Sequence, residues 1–354
     1  MTEDPDPGWE ASVERSRARR AEARRARDRR RKRRAALAGA AVLAFGVGVT
    51  VGAGDGGGGS DGPGAPARAA GSGRVERPPP TLPGGGRTIF APRPRGRAKT
   101  KAEAPDTRVV AFYGTSTTDA LGTLGQGTPA QAARRVVRQA RAYARPGRRV
   151  FPAFELIATV AANSAGDGGL YRNQLPLSDA RRYLRAIRRV HGLLIIDVQP
   201  GRSDFLTEVQ RFAPLLREPD VSLALDPEWS LGPGEIPGQV IGHTDAGKVN
   251  EVSAWLARLV ARNRLPQKLF VIHQFTSDMV QNRPLLRNRP GLALTINVDG
   301  FGGREVKKAK YAQLAPRRRD VHPGFKLFYR EDVDIFSPRE ALGLKPSPLL
   351  INYQ

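Results

Sequence analysis

No cysteine occurs among the 354 residues. That excludes disulfide staples, a structural Cys–zinc site, a thiol nucleophile and a lipid-modified cysteine anchor. No G-x-S-x-G elbow follows any of the strand candidates, which argues against a serine hydrolase of that type. No G-x-G-x-x-G fingerprint follows the first strand candidate, where Tyr113-Gly114-Thr115-Ser116 stands instead. An open, doubly wound sheet with a phosphate turn is therefore the weaker alternative. Acidic residues are scarce, 34 against 58 Lys and Arg, giving a formal net charge of +24. Nearly all the basic residues are Arg, alongside abundant Ala, Gly and Pro, which reflects GC-rich coding and weakens the charge as a sign of nucleic acid. Lys307, Lys308 and Lys310 have no aromatic residues interleaved with them, so they read as a solvated helix face and no nucleic-acid partner is expected.

Long uncharged runs are nearly absent too, with one exception. Residues 1–34 are polar and end in a basic run from Arg24 to Arg34, and residues 35–54 follow without a single charge. Twenty residues suit an α-helix crossing a hydrocarbon core of about 30 Å. Basic residues on the N-terminal flank predict that this flank stays cytoplasmic and that the remainder is exported. The expectation is a single-pass membrane protein with an extracytoplasmic domain, secreted if the segment is cleaved at a small-residue site such as Ala65-Pro66-Ala67. Residues 55–106, with Pro78-Pro79-Pro80 and Gly84-Gly85-Gly86, read as a disordered spacer.

From residue 107 to 354 the texture changes. Short apolar runs rich in β-branched and aromatic residues recur at 109–114, 150–158, 193–199, 221–228, 268–275, 292–299, 324–329 and 349–353. Helical patterns lie between them, over 129–145 and starting at Ser178, Ser203, Asp245, Thr276 and near Arg304, several with a capping residue in front. Continuous apolar strands alternating with helices mean a parallel sheet covered on both faces. Eight such units in about 250 residues are the count of an α/β fold of the (β/α)₈ TIM-barrel type. No eighth helix follows the last run, so the outer layer is expected either to be incomplete there or to be covered by residues near 87–107.

In a barrel of this kind the strand ends form the active face. Polar residues interrupt the runs there: Tyr113, Glu155, Asp197 and Gln199, Asp226 and Glu228, His273 and Gln274, Asn297 and Asp299, Lys326, and Tyr353. Side chains alternate along a strand, so Asp197/Gln199, Asp226/Glu228 and Asn297/Asp299 each share a face. Isolated buried carboxylates are costly, and five of them at one rim point to a ligand site. In Leu225-Asp226-Pro227-Glu228-Trp229, the Asp can polarise the Glu, raise its pKa and equip it to donate a proton to a glycosidic oxygen. Glu228, Asp226, Asp197 and Asp299 are the catalytic candidates. Tyr113, Glu155, Gln199, Trp229, His273, Gln274, Asn297, Lys326 and Tyr353 are the substrate-binding candidates. A carboxyl separation of about 5–5.5 Å would mean retention and about 6.5–9.5 Å inversion.

Asp226 and Glu228 resemble the last two acids of D-x-x-D-x-D-x-E, the strand-4 motif of family 18 glycoside hydrolases, though Val221 and Ala224 replace the earlier Asp residues. More broadly, DVQPGRSDF, LALDPEW, VIHQFT, NVDGFG and GFKLFY resemble stretches in a group of secreted or membrane-anchored actinobacterial proteins with a glycoside-hydrolase-like TIM barrel. The resemblance implies fold and location rather than a reaction; the expected partner is cell-envelope polysaccharide or a small glycan, and no cofactor is expected. Two rival readings stand beside it. Glu155, Asp197, Asp226, His273 and Asp299 are ligand types of divalent-metal barrel hydrolases and isomerases. The rim could also serve a non-catalytic carbohydrate-binding barrel. His191, His243 and His322 read as surface residues, and the connections 159–176 and 230–247 as loops over the barrel mouth.

Overall fold

Runs of β-branched and large apolar residues bury both faces of a strand, and eight such runs pair side by side in parallel. The computed structural model describes residues 80–83, 85–90 and 107–354. Its barrel strands are β1 (Thr107–Gly114), β2 (Arg149–Ala161), β3 (Leu193–Val198), β4 (Val221–Leu225), β5 (Lys268–Gln274), β6 (Leu292–Val298), β7 (His322–Leu327) and β8 (Leu350–Tyr353). Each strand pairs with its successor. β8 then pairs with β1 from Val109↔Leu350 to Phe112↔Tyr353, so the sheet closes and no edge is left. The expected (β/α)₈ architecture is present as a closed eight-stranded parallel barrel.

The strand pleat divides the core in two. Val109, Ala111, Phe151, Ala153, Leu193, Ile195, Ala224, Leu269, Val271, Ala293 and Leu350 point inward and form one apolar cluster. Their neighbours, such as Val110, Phe112, Leu194, Ile196, Leu223, Phe270, Ile272, Leu294, Ile296 and Ile351, point outward under the helices. Gly324 on β7 lies on the inner face, where a Cβ would stand 2.8 Å from Asn297 Oδ1. Only glycine lets β7 pass that close to the Asn297 side chain.

The outer layer is built from α1 (Pro129–Arg141), α2 (Leu177–Arg188), α3 (Phe205–Gln210), α4 (Ala213–Leu216), α5 (Ala246–Arg262), α6 (Arg304–Leu314) and α7 (Pro338–Gly343). Local chemistry sets their starts. Thr128 and Gln131 close a reciprocal capping box ahead of Pro129, and Ser337 with Glu340 does the same for α7. Asp204 caps α3 and Asp245 caps α5 through their carboxylates. The helix expected from Thr276 does not form. Pro284 has no N–H to continue such a helix, and the segment holds 3₁₀ turns over Ser277–Met279 and Arg283–Leu285. Between those turns, Val280–Gln281 pairs with Thr244–Asp245, tying this connection to the start of α5.

Part of the stretch read as a spacer belongs to the core. Leu82, Ile89 and Phe90 are buried and join the inner apolar cluster at the N-terminal end of the strands. Polar contacts fix them there. Gln267 Oε1 accepts from the backbone N–H groups of Ile89 at 2.8 Å and Phe90 at 2.9 Å. The Arg87 guanidinium donates to the carbonyls of Pro80, Arg264 and Leu265, each at 2.9 Å. Arg149 donates to the carbonyls of Pro83 and Gly85. Residues 80–83 and 85–90 thus plug the barrel floor, while residues 91–106, expected with 87–90 as an alternative cover for the missing eighth helix, lie outside the described residues. His322, expected at the surface, is buried on β7 with its ring 5.0 Å from that of Phe90. The basic tail, residues 35–54 and the rest of the spacer lie outside the described residues, and among the described residues no helix is long and apolar enough to cross a membrane.

Candidate functional site

The same parity that fills the lower barrel with apolar side chains fills its upper end with polar ones. Tyr113, Glu155, Asp197, Asp226, His273, Asn297 and Lys326 follow the inward-facing residues of their strands by two positions, and Gln199 and Asp299 continue the series past the ends of β3 and β6. All nine are buried, in two hydrogen-bonded groups, one of Tyr113, Asp197, Gln199 and Asp226 and one of His273, Glu155, Asp299, Lys326 and Asn297, joined where the Lys326 ammonium lies over the Tyr113 ring. Tyr113 Oη donates to Asp197 Oδ2 at 2.9 Å and lies 3.3 Å from Asp226 Oδ2. Gln199 Nε2 donates to Asp226 Oδ2 and to Tyr113 Oη, both at 3.2 Å.

Across the barrel, His273 bridges two acids. Its Nε2 is 2.5 Å from Glu155 Oε1 and its Nδ1 is 2.9 Å from Asp299 Oδ2. Lys326 Nζ donates to Asp299 Oδ2 at 2.9 Å and stands 3.7 Å above the centre of the Tyr113 ring. Asn352 on β8 donates to Glu155 Oε2 at 2.9 Å. It was absent from the sequence candidates, although a polar residue two places after the inward Leu350 carries the same signal as the others.

Burial and mutual charge set the protonation states. Asp197 is pushed up to about 8, first by burial and then by the nearby Asp226 charge. Burial also raises Asp226 and, with the Asp197 and Asp226 charges, drives the Tyr113 phenol well above its ordinary value. Burial alone would lower His273, but the Glu155 charge and the hydrogen bonds to Asp299 and Glu155 hold it well above 6.5. Burial likewise opposes charge on Lys326 and Asp299. Their mutual attraction overrides it, raising the ammonium and lowering the carboxyl. The layer therefore holds a charged core of His273, Lys326 and Asp299 beside two acids, Asp197 and Asp226, whose carboxyls are raised.

Glu228 sits apart. β4 ends at Leu225, and Pro227–Trp229 forms a 3₁₀ turn that lifts Glu228 and Trp229 to the rim, where both are partly exposed. The Glu228 carboxyl makes no hydrogen bond to a described residue. Withdrawal from water, followed by the Asp226 and Asp299 charges, pushes it up to about 8. Below it, the positions of the two missing motif acids are apolar: Ala224 belongs to the inner cluster and Val221 to the outer one.

Two candidates point elsewhere. Gln274 follows the inward His273 and so faces outward, where its Nε2 donates to the carbonyls of Thr276 and Ser277. Tyr353 also faces outward and pairs with Tyr143 through a 2.6 Å hydroxyl–hydroxyl contact. Both corrections follow from the pleat, since adjacent residues cannot share the inner face. Lys307, expected on a solvated helix face, is buried with its Nζ on Asp332, at 2.7 Å to Oδ2, and on the carbonyls of Gly300 and Lys326. It pins the loops that follow β6 and β7. Glu208 on α3 plays a comparable part for β2. It is buried and accepts from Arg172 at 2.8 Å and Gln174 at 2.7 Å, holding the short strand Arg172–Gln174 against Thr159–Ala161.

No protein-family model matches the sequence, and neither does any curated protein. Among solved structures, a dihydropteroate synthase from Xanthomonas albilineans with 4-aminobenzoic acid aligns at 13% identity, over 70% of this chain and 87% of that chain, with a TM-score of 0.31. A family 18 chitinase from Cycas revoluta in complex with (GlcNAc)3 aligns at 11% identity, over 62% of this chain and 68% of that chain, with a TM-score of 0.33. The assignment of the barrel rests on its own strand pairing.

Proposed function

We propose that the barrel is a glycoside-hydrolase-like enzyme acting on cell-envelope carbohydrate, with Glu228 as proton donor. The observation that carries this reading is Glu228 itself, a partly exposed rim acid with no hydrogen-bond partner among the described residues, whose carboxyl is pushed up to about 8. Such a group is protonated at neutral pH and can deliver its proton to a leaving-group oxygen. Asp226, held by Tyr113 and Gln199, is the positioning neighbour that keeps the proton on Glu228. Of Asp197 and Asp299, Asp299 is the one kept ionised, so it takes the role of second carboxylate. Trp229, next to Glu228 on the rim, offers an apolar face for a sugar ring. On this reading the domain works outside the cytoplasm, tethered through residues 35–54. The basic run from Arg24 to Arg34 supports that orientation.

The test is a hydrolysis and binding screen of the full chain against cell-wall and other soluble oligosaccharides, beside Glu228→Gln. The parent is expected to release reducing ends, and the variant to bind equally while turning over about 10²–10⁴-fold more slowly. Binding without turnover in the parent would make the barrel a recognition module. Turnover unchanged in Glu228→Gln would remove the proposed proton donor.

A further inference from the structure

Below the rim, three buried side chains from different strands face one another. Glu155 on β2, Asp197 on β3 and His273 on β5 each offer one ligand atom, and these three atoms lie within 4.8 Å of one another. Their surroundings are arranged as a metal-binding histidine requires. Asp299 Oδ2 holds His273 Nδ1 at 2.9 Å, which fixes the ring and leaves Nε2 turned toward Glu155 Oε1. This is the carboxylate–imidazole pairing that orients a ligating histidine. Asn352 steadies Glu155 through its other oxygen, Oε2.

Asp197 supplies the independent sign. Tyr113 takes its Oδ2, while its Oδ1 is fully buried and makes no hydrogen bond. A buried carboxyl oxygen in that state is costly unless a cation or a donor meets it. The ammonium of Lys326 does not do so, because it is engaged with Asp299 and the Tyr113 ring.

We propose that Glu155, Asp197 and His273 bind one divalent transition-metal cation. One imidazole nitrogen with two carboxylate oxygens suits Mn²⁺ or Zn²⁺ better than Ca²⁺ or Mg²⁺, which prefer oxygen throughout. As the cation enters, the proton shared by His273 Nε2 and Glu155 Oε1 and the proton on Asp197 leave to solvent, and the metal takes their place among the three ligands. The site lies beneath Glu228 and does not depend on the chemistry proposed there.

The experiment uses the full chain, stripped with a chelator and dialysed to equilibrium against Mn²⁺ alone or Zn²⁺ alone, with no sugar present. About one equivalent per chain is expected for at least one of the two cations, with a rise in thermal midpoint. Asp197→Asn is expected to weaken affinity by at least about tenfold. Pulsed electron paramagnetic resonance of the Mn²⁺-loaded parent should show a coupled imidazole nitrogen, and that measurement stands even if the variant fails to fold. Less than about one-tenth of an equivalent of either cation would overturn the site, as would Mn²⁺ bound without nitrogen coupling or affinity unchanged in a folded Asp197→Asn. Because uptake is read without substrate, failure here leaves the Glu228 reading untouched, and failure of hydrolysis leaves this site untouched.

Discussion

Replacing Lys326 with Met removes one charge and almost no volume. The ammonium sits 2.9 Å from Asp299 Oδ2 and 3.7 Å above the Tyr113 ring, and both partners are buried. Breaking a buried ion pair from one side costs about 3–5 kcal/mol, because the remaining charge is stranded. Asp299 keeps His273 Nδ1 and the Gly300 N–H at 2.6 Å, which places the loss at the lower end of that range. Losing the cation–π contact adds about 1 kcal/mol, for a total near 4 kcal/mol at pH 7.5. The pH dependence has a definite sign. In the parent, the Asp299 carboxyl is lowered, so it contributes stability above its unfolded value near 3.8 that is lost only as pH falls through the lower folded value. In the variant, burial acts without its main opponent and raises that carboxyl. The contribution then becomes a penalty, absent below about pH 4 and growing as pH rises. Urea unfolding of parent and variant in chelator at pH 4.5 and 7.5 is the assay. A deficit below about 1 kcal/mol at pH 7.5, or one equal at both pH values, would refute the reasoning.

Other perturbations probe separate parts of the structure. Phe90→Ala should cost about 3–4 kcal/mol in urea unfolding, with the same loss at pH 5 and 8, because it empties part of the barrel floor without touching a charge. A loss under about 0.5 kcal/mol would mean the plug does not dock. Glu208→Gln should lower stability by about 2 kcal/mol and speed protease cleavage within residues 162–171, since it releases Arg172 and Gln174 together. Equal cleavage rates would contradict that assignment. If Glu228 is the general acid, log turnover should fall with unit slope as pH rises past about 8. A profile flat to about pH 9.5 would exclude it.

Strand positions were legible because eight apolar runs carry β-branched residues in lengths that only a doubly covered strand explains. The inward polar pairs were legible as well, since Asp197/Gln199 and Asn297/Asp299 are spaced by two. Parity between adjacent residues was harder to read. In a uniformly apolar run nothing local says whether His273 or Gln274, Asn352 or Tyr353, turns inward; the answer comes from counting back to the inner apolar residues of the folded barrel. Leu82, Ile89 and Phe90 escaped because Pro and Gly dominate the composition around them, and three well-placed anchors outweigh that average. Lys307 was misread for a related reason. Its helix face looks solvated until the loop carrying Asp332 folds over it.

The central claim is that polar side chains from strands far apart in sequence meet in one energetically coupled layer. A double-mutant cycle on Glu155→Gln and His273→Gln, in metal-free buffer at pH 7, tests it most directly. An interaction energy of at least about 2 kcal/mol is expected, because the two side chains meet across the barrel at 2.5 Å. Additive losses, agreeing within about 0.5 kcal/mol, would contradict it.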